Sequence, residues 1–453
     1  MIKVSEFIER REKLYNKLVD NSVLLLYSGT SIKSSADECF DFVVNRNFYY
    51  LTNIKQEDSI LLVTKINGVI KEYLYISEYD EVKEKWTGKR LTNSEASSYS
   101  GITNILYTPT MFANLQRILE NSNDFEKIRV LYMDLEKFNF VKDDTQTKDV
   151  AEGLKLNYPE IEIKDVYEDI VRLRMVKSNA EIEEFKEAIA KTNTGLQKIM
   201  RTIKPGLYEY QLSSLFYYTI QDYDYSELSF NTIAASGVNA TCLHYPTPLA
   251  KLKDGDLMLF DLGARNNLYC ADISRTYPVN GHFNELERKI YQIVLDCNKL
   301  IIKLIKPGIT ISELNKAATD FMAKECVKAK LIKDESEISK YYFHNISHRI
   351  GLDTHDPGDR SLPLEEGNII SDEPGLYFKE LGIGVRIEDD ILVTNGGSYN
   401  LSGQIIKEID DGKMKKLELY TKSGNLQKYF GKTFDGYERE IKRAELIKQV
   451  IKE

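Results

Sequence analysis

Residues 257–272 read Leu257-Met258-Leu259-Phe260-Asp261-Leu262-Gly263-Ala264-Arg265-Asn266-Asn267-Leu268-Tyr269-Cys270-Ala271-Asp272. The opening run is apolar apart from one aspartate, so it predicts a buried strand with a carboxylate inside it. Burying a lone carboxylate is costly; Asp261 must be paired, protonated or bound to a metal. Asn266 and Asn267 supply turn chemistry, and the chain returns through Tyr269 to Arg275. A two-residue turn at Asn266-Asn267 sets Asp261 directly opposite Asp272, with Cβ atoms ~4.5–5.5 Å apart. Two like charges at that separation repel unless a cation sits between them. One aspartate in a strand is more often ion-paired than metal-bound; the second one changes the reading.

The same arithmetic applies from Asn368 to Thr394, which reads as another hairpin. A turn at Glu380-Leu381 sets Glu373 opposite Glu388, with Pro374 and Gly375 able to introduce a bulge. Two acidic pairs on two hairpins give four carboxylates that can converge. The chain has five histidines, and His344, His348 and His355 fall close together in Phe343-His344-Asn345-Ile346-Ser347-His348-Arg349-Ile350-Gly351-Leu352-Asp353-Thr354-His355. Another, His244, sits in Cys242-Leu243-His244-Tyr245-Pro246. Four carboxylates and one imidazole make an oxygen-rich ligand set. That suits manganese or a similar divalent ion better than structural zinc, and two ions are needed to balance the charge. Two such ions can share a water, lower its pKa and polarise a carbonyl, which is a hydrolase design.

Outward from these hairpins the chain divides. Residues 1 to about 172 read as an α/β unit: a helical start from Val4 to Leu18, then strand-like runs at Ser22–Ser28, Phe48–Leu51, Ser59–Lys65 and Ile161–Ile163. A charged helix over Lys177–Met200, opening at Ser178-Asn179-Ala180-Glu181, stops at Lys204-Pro205-Gly206. A second helix, near Leu286–Leu304, stops at Lys306-Pro307-Gly308, which suggests a duplicated half-domain. The expected limits are therefore 1–172, 173–400, and a charged extension over 401–453 that ends in a helix at Tyr437–Lys452. The fold class is α/β (α+β).

Length and charge bound the function. A chain of 453 residues exceeds one hydrophobic core, so two domains are expected. A net charge of −9 argues against nucleic acid or an anionic membrane surface as the main partner. The start, Met1-Ile2-Lys3-Val4-Ser5-Glu6, is charged early and lacks a signal-peptide core, so a cytoplasmic location is expected. The five cysteines form no CxxC pair and read as reduced thiols.

The spacing of Asp261, Asp272, His348, Glu373 and Glu388 resembles the ligand set of the pita-bread metallopeptidases. The strings that carry the resemblance are FDLGA, CADISRTYPVNG, HNISHRIGLDTHD, DEPGLYF and GIGVRIEDDILVT. The N-terminal strings FIERREKL and SADECFDFVVNRNFYYLTNI resemble the non-catalytic first domain of the aminopeptidase P and prolidase branch, with Val43 and Asn53 where arginine and glycine are usual. The resemblance implies an N-terminal α/β domain followed by a pita-bread catalytic domain. It implies two divalent ions, expected to be manganese, with Asp272 and Glu388 bridging them. It implies Glu373 as general base as well as ligand, and His244, His344 and His355 around the scissile bond. Arg386 is expected to anchor the acidic cluster or the substrate, and Arg360 to touch longer peptides. Trp86, in Trp86-Thr87-Gly88-Lys89-Arg90-Leu91, resembles a segment that reaches a neighbouring subunit's active site, so a homodimer or homotetramer is expected. The implied substrates are peptides with proline in second position. Prolidase action on Xaa-Pro dipeptides is the alternative enzyme, and an inactive pita-bread peptide-binding module is the alternative of another class.

Overall fold

In the computed structural model, which describes residues 2–121, 123, 126–136 and 146–409, the apolar run after the first helix lies inside a six-stranded sheet. From edge to edge the strands are Ile105–Tyr107, Val69–Ile76, Ile60–Ile66, Ser22–Tyr27, Val130–Met133 and Glu162–Asp165. Ser22–Tyr27 is buried at every position. A strand covered on both faces has no polar side, which is why its sequence does not alternate. It pairs antiparallel with Ile60–Ile66 and parallel with Val130–Met133. On one face Val23, Leu25, Ile60, Leu62 and Met133 pack with Met111 and Leu115 of the helix Met111–Leu119.

This sheet and its helices form one compact unit, Met1–Glu184 with residues 351–359 and 367–369. Residues 48–51, expected as a strand, belong instead to the helix Arg46–Thr52. Its caps decide this against the β-propensity of the aromatics. The Asn45 side chain accepts from the Phe48 amide at 2.8 Å, and Asn53 closes the helix at φ 59°. The left-handed cap suits asparagine, which adopts αL more readily than other non-glycine residues. Trp86 lies on the short helix Glu81–Thr87 and is 86% exposed.

The helix Asn179–Thr202 carries the chain into a second unit, which takes in Phe185–Ile350, Arg360–Glu366 and, of the described residues, 370–409. The helix opens as expected: Ser178 Oγ accepts from the Glu181 amide, and the Glu181 carboxylate accepts from the Ser178 amide at 3.0 Å. The second unit repeats one order twice. Helices Asn179–Thr202 and Glu209–Tyr223 precede a three-stranded sheet of Ile233–Ser236, Leu257–Leu262 and Ile273–Pro278. Helices Glu285–Leu304 and Ile311–Lys328 precede the sheet of Ile369–Asp372, Asp389–Thr394 and Gly397–Asn400. Both Lys-Pro-Gly links put their glycine at positive φ, +95° at Gly206 and +90° at Gly308. Just past each, a matching backbone bond forms: Leu252 to Leu207 and Leu364 to Ile309, both 2.8 Å.

The first hairpin departs from the expected register. Asn266 pairs with Tyr269, so the turn is Asn267-Leu268, both at positive φ, and Asp261 lies opposite Ser274. A turn with two left-handed residues matches the twist of its strands, and burial of Leu268 holds that residue in place. Asp272 falls in the break between Tyr269–Cys270 and Ile273–Pro278, beside Gly263, where a Cβ would lie 1.8 Å from the Ala271 carbonyl oxygen. The second hairpin keeps the expected register. Gly375 pairs with Arg386 and Phe378 with Ile383, which carried outward sets Glu373 against Glu388.

Of the expected extension, residues 401–409 are described and the helix at 437–452 lies outside the described residues. The five cysteines form no disulfide, and Cys270, Cys297 and Cys326 are buried. Among the described residues no helix is long and apolar enough to cross a membrane.

Candidate metal centre

Glu373 and Glu388 stand where the second hairpin gives way to the neighbouring sheet, one just before Pro374 and the other just after Ile387, whose amide donates to the Pro374 carbonyl at 3.2 Å. Asp272 stands at the equivalent break in the first hairpin. These interruptions let carboxylates from different strands point at one another. Asp261, Asp272 and Glu388 each bring an oxygen within 4.8 Å of the others, and a ring nitrogen of His348 lies equally close to oxygens of Glu373 and Glu388. All are buried or half-buried.

The chain from Tyr341 to Arg349 bends at His344 and Ile346 and runs antiparallel beside 370–377. The Glu373 amide donates to Ile346, the Ser371 amide to His348 and the Tyr377 amide to Tyr341. His344 and His348 both face the acidic cluster, with His344 Nδ1 3.9 Å from Glu373 Oε2. His348 Nδ1 lies 3.0 Å from the Arg349 carbonyl, which can only accept, so Nδ1 carries the proton. Nε2 then faces Asp272 Oδ2 at 3.3 Å, Glu373 Oε1 at 3.6 Å and Glu388 Oε1 at 3.9 Å. Such a backbone contact fixes the tautomer a metal-binding imidazole needs.

Electrostatics fit a bound cation. Burial, then the charges of Glu388 and Asp261, hold Asp272 well above the carboxylate range. Burial, then Glu373 and Asp261, do the same to Glu388. Burial pushes Glu373 up to about 8, with Arg386 opposing the rise. Protein groups alone leave this cluster short of positive charge, and divalent ions reverse the balance. Asp261 Oδ2 accepts from Arg386 at 2.6 Å, while its Oδ1 is buried with no hydrogen-bond partner among the described residues. A buried, unsatisfied carboxylate oxygen among further carboxylates and one imidazole is a donor set for hard divalent ions.

Arg386 organises the rim. Besides Asp261 it donates to Ser274 Oγ at 2.8 Å and to the Tyr377 hydroxyl at 3.1 Å. Ser274 in turn donates to Glu388 Oε2 at 2.8 Å. Tyr377 also meets His344 Nε2 at 2.9 Å, while His344 Nδ1 lies 2.8 Å from the Asn345 carbonyl. Burial, then the charges of Arg386 and His244, lower His344 to about 4, so its imidazole is neutral near pH 7. His244 itself is exposed, on the segment after the Gly237–Thr241 turn.

Sequence reasoning missed Tyr377 and Ser274. It also missed a buried polar layer behind Glu388. There Asp389 accepts from Arg275 at 2.8 Å, from Asn298 at 3.1 Å and from Lys407. Burial raises Asp389, but Arg275 and Lys407 outweigh it and hold the carboxyl well below its usual range. The acid run Glu388-Asp389-Asp390 was the one visible signal. Of the remaining expected residues, His355 is exposed on the 351–359 segment, grouped with the N-terminal unit, and Arg360 is exposed in the second unit. Asp356, next to His355, is buried against Arg174 at 2.6 Å and Lys177 at 3.2 Å.

Residues 183–395 match metallopeptidase family M24, and residues 7–127 match the aminopeptidase P N-terminal domain. A Xaa-Pro aminopeptidase from Haemophilus influenzae is 33% identical over 426 residues, covering 90% of this chain and 96% of the relative. A solved Bacillus anthracis protein proposed to be an aminopeptidase P is 41% identical with a TM-score of 0.90, covering 94% of this chain and 100% of that one. Zinc-substituted Escherichia coli aminopeptidase P, solved with product, is 28% identical with a TM-score of 0.85, covering 94% and 100%.

Proposed function

This chain belongs to the aminopeptidase P branch of metallopeptidase family M24, and we infer that it removes the N-terminal residue from peptides with proline in second position. The observation that carries the reading is the convergence of Asp261, Asp272, His348, Glu373 and Glu388 on one cluster with an unsatisfied buried oxygen. These residues would hold two divalent ions, which we propose to be manganese. Bound there, such ions lower the pKa of water and polarise a carbonyl.

The chain's own groups account for the rest. Glu373 takes the proton of the attacking water as the new C–O bond forms. The proline nitrogen carries no hydrogen in the peptide, so a proton must reach it as the C–N bond breaks. His344 is neutral with its Nδ1 proton on the Asn345 carbonyl, so its Nε2 accepts from the Tyr377 hydroxyl, which suits the imidazole to receive and pass on that proton. Arg386 keeps Asp261 in place and sets the Tyr377 hydroxyl. In this reading His244 and His355 position the substrate carbonyl and the leaving nitrogen, Arg360 meets the distal part of longer peptides, and Trp86 reaches the site of a second copy. The proposal includes domain limits at 172 and 400, a homodimer or homotetramer, and a cytoplasmic location.

The test is a panel of Xaa-Pro dipeptides against Xaa-Pro-Xaa tripeptides with added manganese. The expected result is release of the N-terminal residue from the tripeptides. Turnover confined to dipeptides would make the enzyme a prolidase, and turnover of neither would remove the activity.

A further inference from the structure

Glu209 is a carboxylate with no exposed surface, at the first position of the helix Glu209–Tyr223. Its Oε1 accepts from the Ser236 amide at 2.7 Å, the Ser236 hydroxyl at 2.8 Å and Asn239 Nδ2 at 3.1 Å. Its Oε2 accepts from the Ala250 amide at 2.9 Å. Two main-chain bonds reinforce the same seam, from the Glu209 amide to Ala250 at 3.0 Å and from the Tyr210 amide to Pro248 at 2.8 Å. One side chain therefore holds both ends of residues 236–250, the segment that carries His244.

We propose that Glu209 is a positioning residue that fixes the His244 segment against the metal centre; this rests on the reading of His244 as a substrate-positioning group. The grip extends inward. Asn239 Nδ2 also meets the Tyr245 hydroxyl at 3.0 Å, next to His244. The Gly237–Thr241 turn lies against Gly384, where a Cβ would sit 2.1 Å from the Ala240 carbonyl oxygen. Gly384 pairs with Tyr377, whose hydroxyl joins Arg386 and His344. The segment is thus held to the hairpin that ends at Glu373 and Glu388.

The duplicated half shows that the fold alone does not demand this carboxylate. The equivalent helix opens at Thr310, and its first position is Ile311, buried in the apolar core. A helix start tolerates either residue. Only the half with a functional loop places there an acceptor that can satisfy several donors together. Glutamine cannot replace it, because its NH₂ would face N–H groups and leave a donor unpaired.

A four-enzyme cycle tests the proposal: wild type, Glu209→Gln, His244→Ala and the double variant, each assayed for kcat and KM on a Xaa-Pro-Xaa tripeptide and for bound metal. Glu209→Gln is expected to lower kcat about 10–100-fold, the range for groups that orient a working histidine from behind, with metal content unchanged. In the His244→Ala background the same substitution should cost no more than about 2-fold, because coupled residues are not additive. An equal loss in both backgrounds, or loss of metal with Glu209→Gln, overturns the proposal. If His244→Ala keeps the wild-type rate, the reading of His244 fails by itself. The imidazole NMR signals of the five histidines then decide on Glu209. A change confined to His244 in Glu209→Gln supports the grip, and an unchanged His244 signal overturns it. If Glu209→Gln does not fold, Asn239→Ala carries the same cycle, with the same non-additivity expected and full additivity as the contrary result.

Discussion

The two halves of the metallopeptidase unit share a frame and fill it differently. Each opens with a helix, a Lys-Pro-Gly link and a second helix, and each then builds a sheet. The first half supplies Asp261 from within a strand and Asp272 from a break beside Gly263. The second half supplies Glu373 and Glu388 from a junction between two sheets, and His348 from a bent segment hydrogen-bonded along that junction. At the start of the second helix the first half buries Glu209 and the second buries Ile311. The frame thus sets where side chains can converge, and interruptions of strand pairing select which ones do. A regular ladder would commit each carboxylate to its own face of a sheet.

The sharpest way to break this comparison is to remove one proposed metal-binding carboxylate from each half. Asp272→Asn and Glu388→Gln should each lower kcat/KM by at least ~10²-fold and reduce bound metal, since even groups behind a ligand cost 10–100-fold. Near-normal turnover of either variant at matched metal occupancy would show that its half is dispensable.

The next effect separates pocket from ligand. His344→Ala and His355→Ala should lower turnover by ~10²–10⁴-fold while leaving metal content intact. If His355→Ala loses metal in proportion to activity, His355 is a ligand or a support, and His348 is not the sole metal histidine.

The smallest effect concerns the frame. Gly382 closes the second hairpin at φ 65°, where a side chain is strained. Gly382→Ala should cost about 1–2 kcal/mol, read as a lower denaturant midpoint at unchanged slope. A neutral result would mean that the turn does not set the register.

Legibility in the sequence followed locality. The second hairpin was readable because its turn lies midway between Glu373 and Glu388, and Gly382 supplies the left-handed residue. The first was misread by two positions, because Leu268 at positive φ is not a turn signal in sequence. Strand faces alternate with period two, so that error kept Asp261 and Asp272 on one face and the cluster survived it. The helix Arg46–Thr52 went unread because its aromatics favour strands, while its asparagine caps act through backbone geometry. Glu209, Asn298 and Lys407 were silent for a different reason. Their partners lie 27, 91 and 18 residues away, and no local pattern joins them.

The most direct test is a manganese titration of the metal-free protein, with bound metal and tripeptide cleavage followed on the same sample. The account predicts no cleavage without metal and a rise to full rate as about two ions bind per chain. Full activity with no ion bound, or a wild-type protein that binds none, would contradict it.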